Sequence, residues 1–191
     1  MKKITILFIA CLFASCSKDN NDLVIEMDKD AKAIYEKERI AWNLQKIENY
    51  QFSYRSTYVS IFPPYDEIFV KIAIEKDKEP LLLKKSLDFL TLQDISCDIN
   101  AVYEYIKYIF MYVDIVQAIK KGKDIPFVDD YPYSFDVEVA RNTKSITLAV
   151  KYNAQYHYPE EIVFEEFFHA PKPKGYIPFK LQITEFFSTI N

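Results

Sequence analysis

Between Asp98 and Gly122 the chain reads as one long helix that is apolar over almost its whole circumference. Only Asn100, Glu104, Lys107, Met111 and Asp114 fall on a narrow polar stripe, while Ile106, Ile109, Phe110, Val113 and Val116 typify the rest. The ends are marked. Asp98 is placed to accept hydrogen bonds from the first orphan N–H groups. Lys120 and Lys121 suit the negative end of the helix dipole, and Gly122 stands where a left-handed C′ residue is expected. A helix apolar on nearly every side must be covered on nearly every side, so the remainder of the chain has to supply a large apolar surface.

Most of that remainder alternates with the period of a strand. Tyr50, Phe52, Tyr54 and Tyr58 alternate with Gln51, Ser53, Arg55 and Thr57, and Ile68, Val70, Ile72 and Ile74 follow the Pro63-Pro64 turn. Lys76 to Pro80 closes this strand, and Leu81-Leu82-Leu83 opens a third. Beyond the long helix, Phe135, Val137 and Val139 alternate with Asp136 and Glu138, and Arg141 to Lys144 reads as a hairpin connection. Strands are then expected from Ile146 to Tyr152, Ile162 to Phe168 and Phe179 to Ile183, with the loop from His169 to Gly175 between the last two. A first helix is expected from Asp28 to about Asn49, with Ala33, Ile34, Ile40, Ala41, Leu44 and Ile47 on its apolar face. Short links between consecutive strands imply antiparallel pairing. The expected class is therefore α+β: two helices on a mostly antiparallel sheet, ordered α-β-β(-β)-α-β-β-β-β, in one domain over residues 28–191.

Composition narrows the function. The chain has 191 residues, half of them apolar and 16% aromatic, which excludes a disordered tail. With two glycines in all, Gly122 and Gly175, it cannot build a phosphate loop that needs several. The formal charge of -4 argues against a nucleic-acid partner, which favours clustered Lys and Arg.

The N-terminus reads as an address. Lys2 and Lys3 precede an apolar run from Ile4 to Phe13 that is too short to span a bilayer, which needs about 20 residues. It has the dimensions of a secretory signal. Phe13-Ala14-Ser15-Cys16 then resembles a bacterial lipobox, with Phe13 where Leu is usual. Residues 1–15 are thus expected to be a lipoprotein signal peptide, Cys16 the acylated first residue, and 16–27 a flexible tether. The expected location is the bacterial cell envelope, on its periplasmic or cell-surface face, with the lipid bilayer itself as a partner through Cys16. Once Cys16 carries lipid, Cys97 has no intramolecular partner and is expected to be buried and inert.

The chemistry-bearing residues do not assemble into a catalytic motif. His157 and His169 lie on different elements, and no H-E-x-x-H, C-x-x-C or G-x-S-x-G occurs. Glu165 and Glu166 are strand neighbours, so only one can share the side of His169. Acidic pairs such as Asp129-Asp130 and Glu160-Glu161 read as solvated. No cofactor, metal or catalytic residue is expected. The tyrosines are more informative, because each offers a flat apolar face with a polar tip. Tyr103, Tyr105, Tyr108 and Tyr112 lie along the long helix. Tyr131, Tyr133, Tyr152, Tyr156 and Tyr158 cluster later and are the candidate lining of a binding groove.

Two segments carry a family resemblance. Trp42-Asn43 followed by Ile47-Glu48-Asn49-Tyr50-Gln51-Phe52-Ser53-Tyr54 resembles the W-x…I-x-N-Y-x-F/Y-x-Y/F opening of the uncharacterised bacterial envelope domain family DUF6174. Tyr152-Asn153-Ala154-Gln155-Tyr156-His157-Tyr158-Pro159-Glu160-Glu161-Ile162 resembles its Y-D-P-x-Y-G-Y-P-x-x-I segment, and Leu181 to Phe186 its closing strand. The departures are Asn153 for Asp, Ala154 for Pro and His157 for Gly. The resemblance implies a signal-bearing or lipid-anchored protein without an assigned reaction. It also implies structural roles for Trp42, Asn49, Tyr50, Tyr54 and Pro159. The expected function is a membrane-anchored, non-enzymatic binding module for a protein, peptide or glycan. An inhibitor or assembly factor of an envelope enzyme is the alternative, ahead of an enzyme with dispersed catalytic residues.

Overall fold

The computed structural model describes residues 23–58, 65–87, 97–125, 136–169 and 178–188. Ten elements follow in chain order: β1 (Val24–Met27), α1 (Ala31–Leu44), β2 (Tyr50–Tyr58), β3 (Tyr65–Ile74), β4 (Leu81–Lys85), α2 (Ile99–Lys120), α3 (Val137–Asn142), β5 (Thr143–Tyr152), β6 (Pro159–Phe168) and β7 (Phe179–Ser188). The strands form one seven-stranded sheet in the order β1-β5-β6-β7-β2-β3-β4. All neighbours are antiparallel except β1 and β5. The class is α+β, as the alternating patterns predict.

The long helix is set by its ends. Asp98 is extended and its carboxylate accepts from Ala101 N at 2.6 Å, while Gly122 takes φ +59° just past the last turn. Ten of its residues, from Ile99 to Ala118, are buried. They pack on the inward row of the sheet, where Phe52, Tyr54, Val70, Ile72, Ile146, Ile162 and Leu181 are all nearly inaccessible. Burial at ~25 cal/mol per Å² of apolar surface makes this layer the main stabilising contact of the domain.

Three sequence expectations change. First, the segment around Val137 and Val139 is a helix. Asp136 accepts from Glu138 N and Val139 N, and Arg141 reaches Glu138 one turn on, so a cap outweighs the β-branched alternation. Arg141 to Lys144 is accordingly a helix end running directly into β5, and the described residues hold three helices. Second, the sheet begins inside the expected tether. Val24 to Met27 pair in parallel with Ser145 to Leu148. Third, α1 buries a different face. Tyr35 and Trp42, two turns apart, are its buried residues, while Ile34, Ile40 and Leu44 are exposed. Two large aromatic rings remove more apolar area from water than the branched aliphatics opposite them.

The residues of the family-like opening all hold the frame. Trp42 packs edge-on against Tyr50 and Phe186, and its indole N–H donates to Asn100 at 3.3 Å. Asn49 accepts from Lys76 N at 2.9 Å, joining the start of β2 to the β3–β4 turn. The Tyr50 hydroxyl accepts from Ile99 N at 3.3 Å and so satisfies an orphan donor of α2. Tyr54 is buried between Val70 and Ile183, and Pro159, also buried, opens β6 opposite Tyr152. Proline is suited to a first strand position, where no ladder donor is required of it.

Candidate functional site

α1 lies along the polar stripe of α2, antiparallel to it. The stripe is matched in order: Lys32 with Asp114 at 2.8 Å, Arg39 with Glu104, and Trp42 with Asn100. Arg39 also donates to the Tyr35 hydroxyl at 2.9 Å and lies over its ring. Burial, opposed by Arg39, pushes the Tyr35 phenol up, so it remains a neutral donor and acceptor.

Between the Lys32–Asp114 and Arg39–Glu104 contacts the two helices leave an open cleft of about 530 Å³, a size typical of small-ligand sites. Its apolar wall is Tyr35, Phe110, Met111 and Tyr108, and its rim is Lys32, Glu36, Lys107 and Asp114. Lys32 sits 5.9 Å from the centre of the Phe110 ring and Lys107 the same distance from that of Tyr108. Tyr35 and Phe110 are nearly inaccessible, so the cleft presents mainly Tyr108 and Met111 beside charges of both signs. A second hollow, about 200 Å³, lies between α1 and β5 and is bordered by Ile34, Leu148 and Tyr152.

The expected tyrosine groove is placed differently. Tyr158 is only 6% exposed and packs 4.6 Å from the Phe186 ring, with Tyr156 at 5.1 Å from the same ring. Tyr152 stacks on Tyr103 and borders the smaller hollow. Burial raises the phenols of Tyr103, Tyr152 and Tyr158. Tyr103 and Tyr158 belong to the core, so Tyr158 presents no face to a ligand, while Tyr152 and Tyr156 pack half-buried against it. Tyr131 and Tyr133 lie outside the described residues, as do Cys16 and almost all of the 169–175 loop.

The turn that carries these tyrosines is closed by Asn153. Its side chain accepts from Gln155 N and Tyr156 N, its N–H donates to the Tyr158 carbonyl, and its carbonyl accepts from His157 N. Asn can accept these bonds as Asp would. His157 takes φ +63°, a left-handed conformation that explains why glycine suits this position in the family-like segment. It is held there on two sides. The Tyr103 hydroxyl donates to its carbonyl, and its Nδ1 donates to Glu38 of α1 at 2.7 Å. This is a histidine–carboxylate pair within hydrogen-bond reach, the arrangement that an enzyme with dispersed residues would require. Its partners give it a structural task, that of fastening the β5–β6 turn to α1.

Glu166 was legible only as half of an acidic pair. It is buried, accepts from the Tyr112 hydroxyl at 2.9 Å and from Thr143, and burial raises its carboxyl above the ordinary range. Glu165, its strand neighbour, points to the other face, as period two requires. His169 is exposed at the end of β6, where its N–H donates to the Asn142 carbonyl. Cys97 is half-buried, and burial together with Asp98 pushes its thiol up, away from the thiolate needed for nucleophilic work. Among the described residues no group of three or more His, Cys, Asp or Glu side chains converges to hold a metal, and no helix is long and apolar enough to cross a membrane.

A scan against protein-family models, a search of curated proteins and a search of solved structures each returned no match.

Proposed function

We propose that this chain is a lipid-anchored protein of the bacterial cell envelope, of the kind its DUF6174-like segments suggest. Cys16 carries the acyl chains, and the α+β domain is a non-enzymatic binding module. The α1–α2 cleft is the observation that supports the binding role. Tyr108 and Met111, the half-buried part of its wall, can pack on the flat face of a sugar or a peptide side chain, and its rim charges can hold hydroxyls, a carboxylate or an amine. Titrating isotope-labelled protein with a panel of peptidoglycan fragments, oligosaccharides and short peptides tests this. Resonances of Tyr108, Met111 and Lys32 should move with one of these classes while Arg55 and Phe69 on the opposite sheet face stay still. Shifts confined to other surfaces would overturn the cleft as the site.

A second reading, an inhibitor or assembly factor for an envelope enzyme or complex, is favoured by Ile40 and Leu44. They stand one turn apart on the outside of α1, 57% and 73% exposed, and neighbouring apolar residues on one helix face suit a protein groove. Ile40→Glu with Leu44→Glu would abolish a stoichiometric complex recovered from solubilised envelope if this reading holds. It would leave small-ligand binding in the cleft intact.

A further inference from the structure

The sheet has a step in one edge. β5 pairs with β6 from Thr143 to Tyr152, but β1 lies beside it only from Ser145 to Leu148. After Met27 the chain leaves the sheet and enters α1. Among the described residues no strand flanks Ala149 to Tyr152 on that side. The edge there is set back by the width of one strand, about 4.8 Å. In an antiparallel ladder every second residue turns its N–H and C=O away from its partner strand, so part of this main chain faces the step. Such an edge is a template for another main chain. Lys151, the one charge on the stretch, is drawn the other way, to Glu160 of β6 at 2.6 Å.

The smaller hollow opens onto this step. It holds about 200 Å³, its apolar lining includes Ile34, Phe110, Val150 and Tyr152, and Ala149 and Asp28 border it. Small-molecule clefts run to about 300–1,000 Å³, whereas this one suits a single apolar side chain. An extended peptide offers what both features require. Its main chain pairs with the edge, and one of its alternate side chains enters the hollow. The corner at Met27 and Asp28 closes the step at one end, so it admits a chain end or a short extended segment rather than the long edge of a second sheet. The opposite edge of the sheet, β4, instead carries Lys84 and Lys85, charges of the kind that guard an edge against pairing.

We propose that a short extended segment of another polypeptide adds to the sheet along Ala149–Tyr152, in line with β1, with one apolar side chain in the hollow. This site requires neither the lipid anchor nor a ligand in the α1–α2 cleft.

The test titrates isotope-labelled protein with three end-capped hexapeptides, which alternate Thr with Val, Leu or Phe. Amide resonances of Ala149 to Tyr152 and the methyl resonances of Ile34 should move with at least one peptide. In the protein alone, at least one amide among Val150, Lys151 and Tyr152 should exchange rapidly with deuterium, and slow when that peptide binds. Two N-methylated forms of the peptide, one at its Thr residues and one at its apolar residues, separate main-chain pairing from apolar adhesion. One form should bind as the parent does and the other about tenfold more weakly, because only alternate N–H groups donate to β5. Ile34→Glu, at a position already 36% exposed, should weaken binding about tenfold by setting a charge beside the apolar side chain. No shift at Ala149 to Tyr152 with any peptide, equal losses from the two N-methylations, or slow exchange of all three amides in the protein alone would overturn the site. Shifts confined to Tyr108 and Met111 would put these peptides in the cleft and overturn it as well. Concentration-dependent self-association through the same amides would make a second copy the occupant and overturn the proposed peptide.

Discussion

His157 Nδ1 lies 2.7 Å from a carboxylate oxygen of Glu38, so a residue in a left-handed turn between two strands is tied to the middle of a helix 119 positions earlier. Two opposed terms act on this histidine. A non-glycine residue at φ +63° costs roughly 1–2 kcal/mol, and a hydrogen bond to a charged partner returns about 1.5–3 kcal/mol. His157→Ala keeps the strain and loses the bond, whereas His157→Gly loses both. The glycine variant should therefore be more stable than the alanine variant by about 1 kcal/mol in urea unfolding. Equal stabilities would show that the turn relaxes and that the left-handed conformation carries no cost.

Tyr50→Phe keeps the ring against Trp42 and Phe186 and removes only the hydroxyl that accepts from Ile99 N. A buried N–H left without its acceptor costs about 1–3 kcal/mol, and the loss falls at the first turn of the helix on which the core is built. A drop of this size in urea unfolding is expected, and an unchanged midpoint would mean that another acceptor replaces the hydroxyl.

The raised carboxyl of Glu166 sets a pH dependence. Burial, partly offset by the hydroxyls of Tyr112 and Thr143, makes the folded state hold this proton to higher pH than the unfolded chain. In the window between the ordinary glutamate value and the raised folded value, the folded state binds more protons, so stability falls as pH rises. Glu166→Gln keeps an acceptor for both hydroxyls and has no proton to lose. It should be about 1 kcal/mol more stable than the parent at neutral pH, and nearly equal to it in mild acid. Thermal melts across that window check the sign; a glutamine variant less stable at neutral pH would contradict it.

Cys97 should react slowly with iodoacetamide at neutral pH, because burial and Asp98 both disfavour its thiolate. The rate should rise to that of an ordinary cysteine in denaturant. A native rate above that of free cysteine would mean that the site activates the thiol.

The parts of the fold that were legible in the sequence are those whose signals are local. Asp98, the narrow stripe and Gly122 delimit α2 because capping, amphipathicity and a left-handed C′ residue each act within a few positions. Period two places β2, β3, β5, β6 and β7 for the same reason. Val137 and Val139 misled because Asp136 can cap a helix as readily as it can alternate in a strand, and the competition is settled by α3 packing beside the end of α2. On α1 the aliphatic face was legible and the aromatic one decisive. Ile34, Ile40 and Leu44 form an apparent stripe, yet Tyr35 and Trp42 are the rings that meet Phe110, Tyr103 and Phe186.

The cleft was not legible, since its walls come from two helices more than sixty positions apart. A signal did exist. Lys32 and Arg39 on α1 match Asp114 and Glu104 on α2 in reversed order, which is what two antiparallel helices sharing a polar seam would show. The later tyrosines pointed elsewhere because Tyr156 and Tyr158 are drawn under the turn by Phe186, a partner thirty positions on.

The proposed function depends most on the sulfur of Cys16. Intact-mass analysis of the protein extracted from bacterial envelopes, with fragmentation of its N-terminus, tests this directly. It should show a chain that begins at Cys16 and bears a thioether-linked diacylglyceryl group, and Cys16→Ala should leave the membrane fraction. A mature N-terminus at any other residue, or a free thiol at Cys16 in membrane-extracted protein, would contradict it.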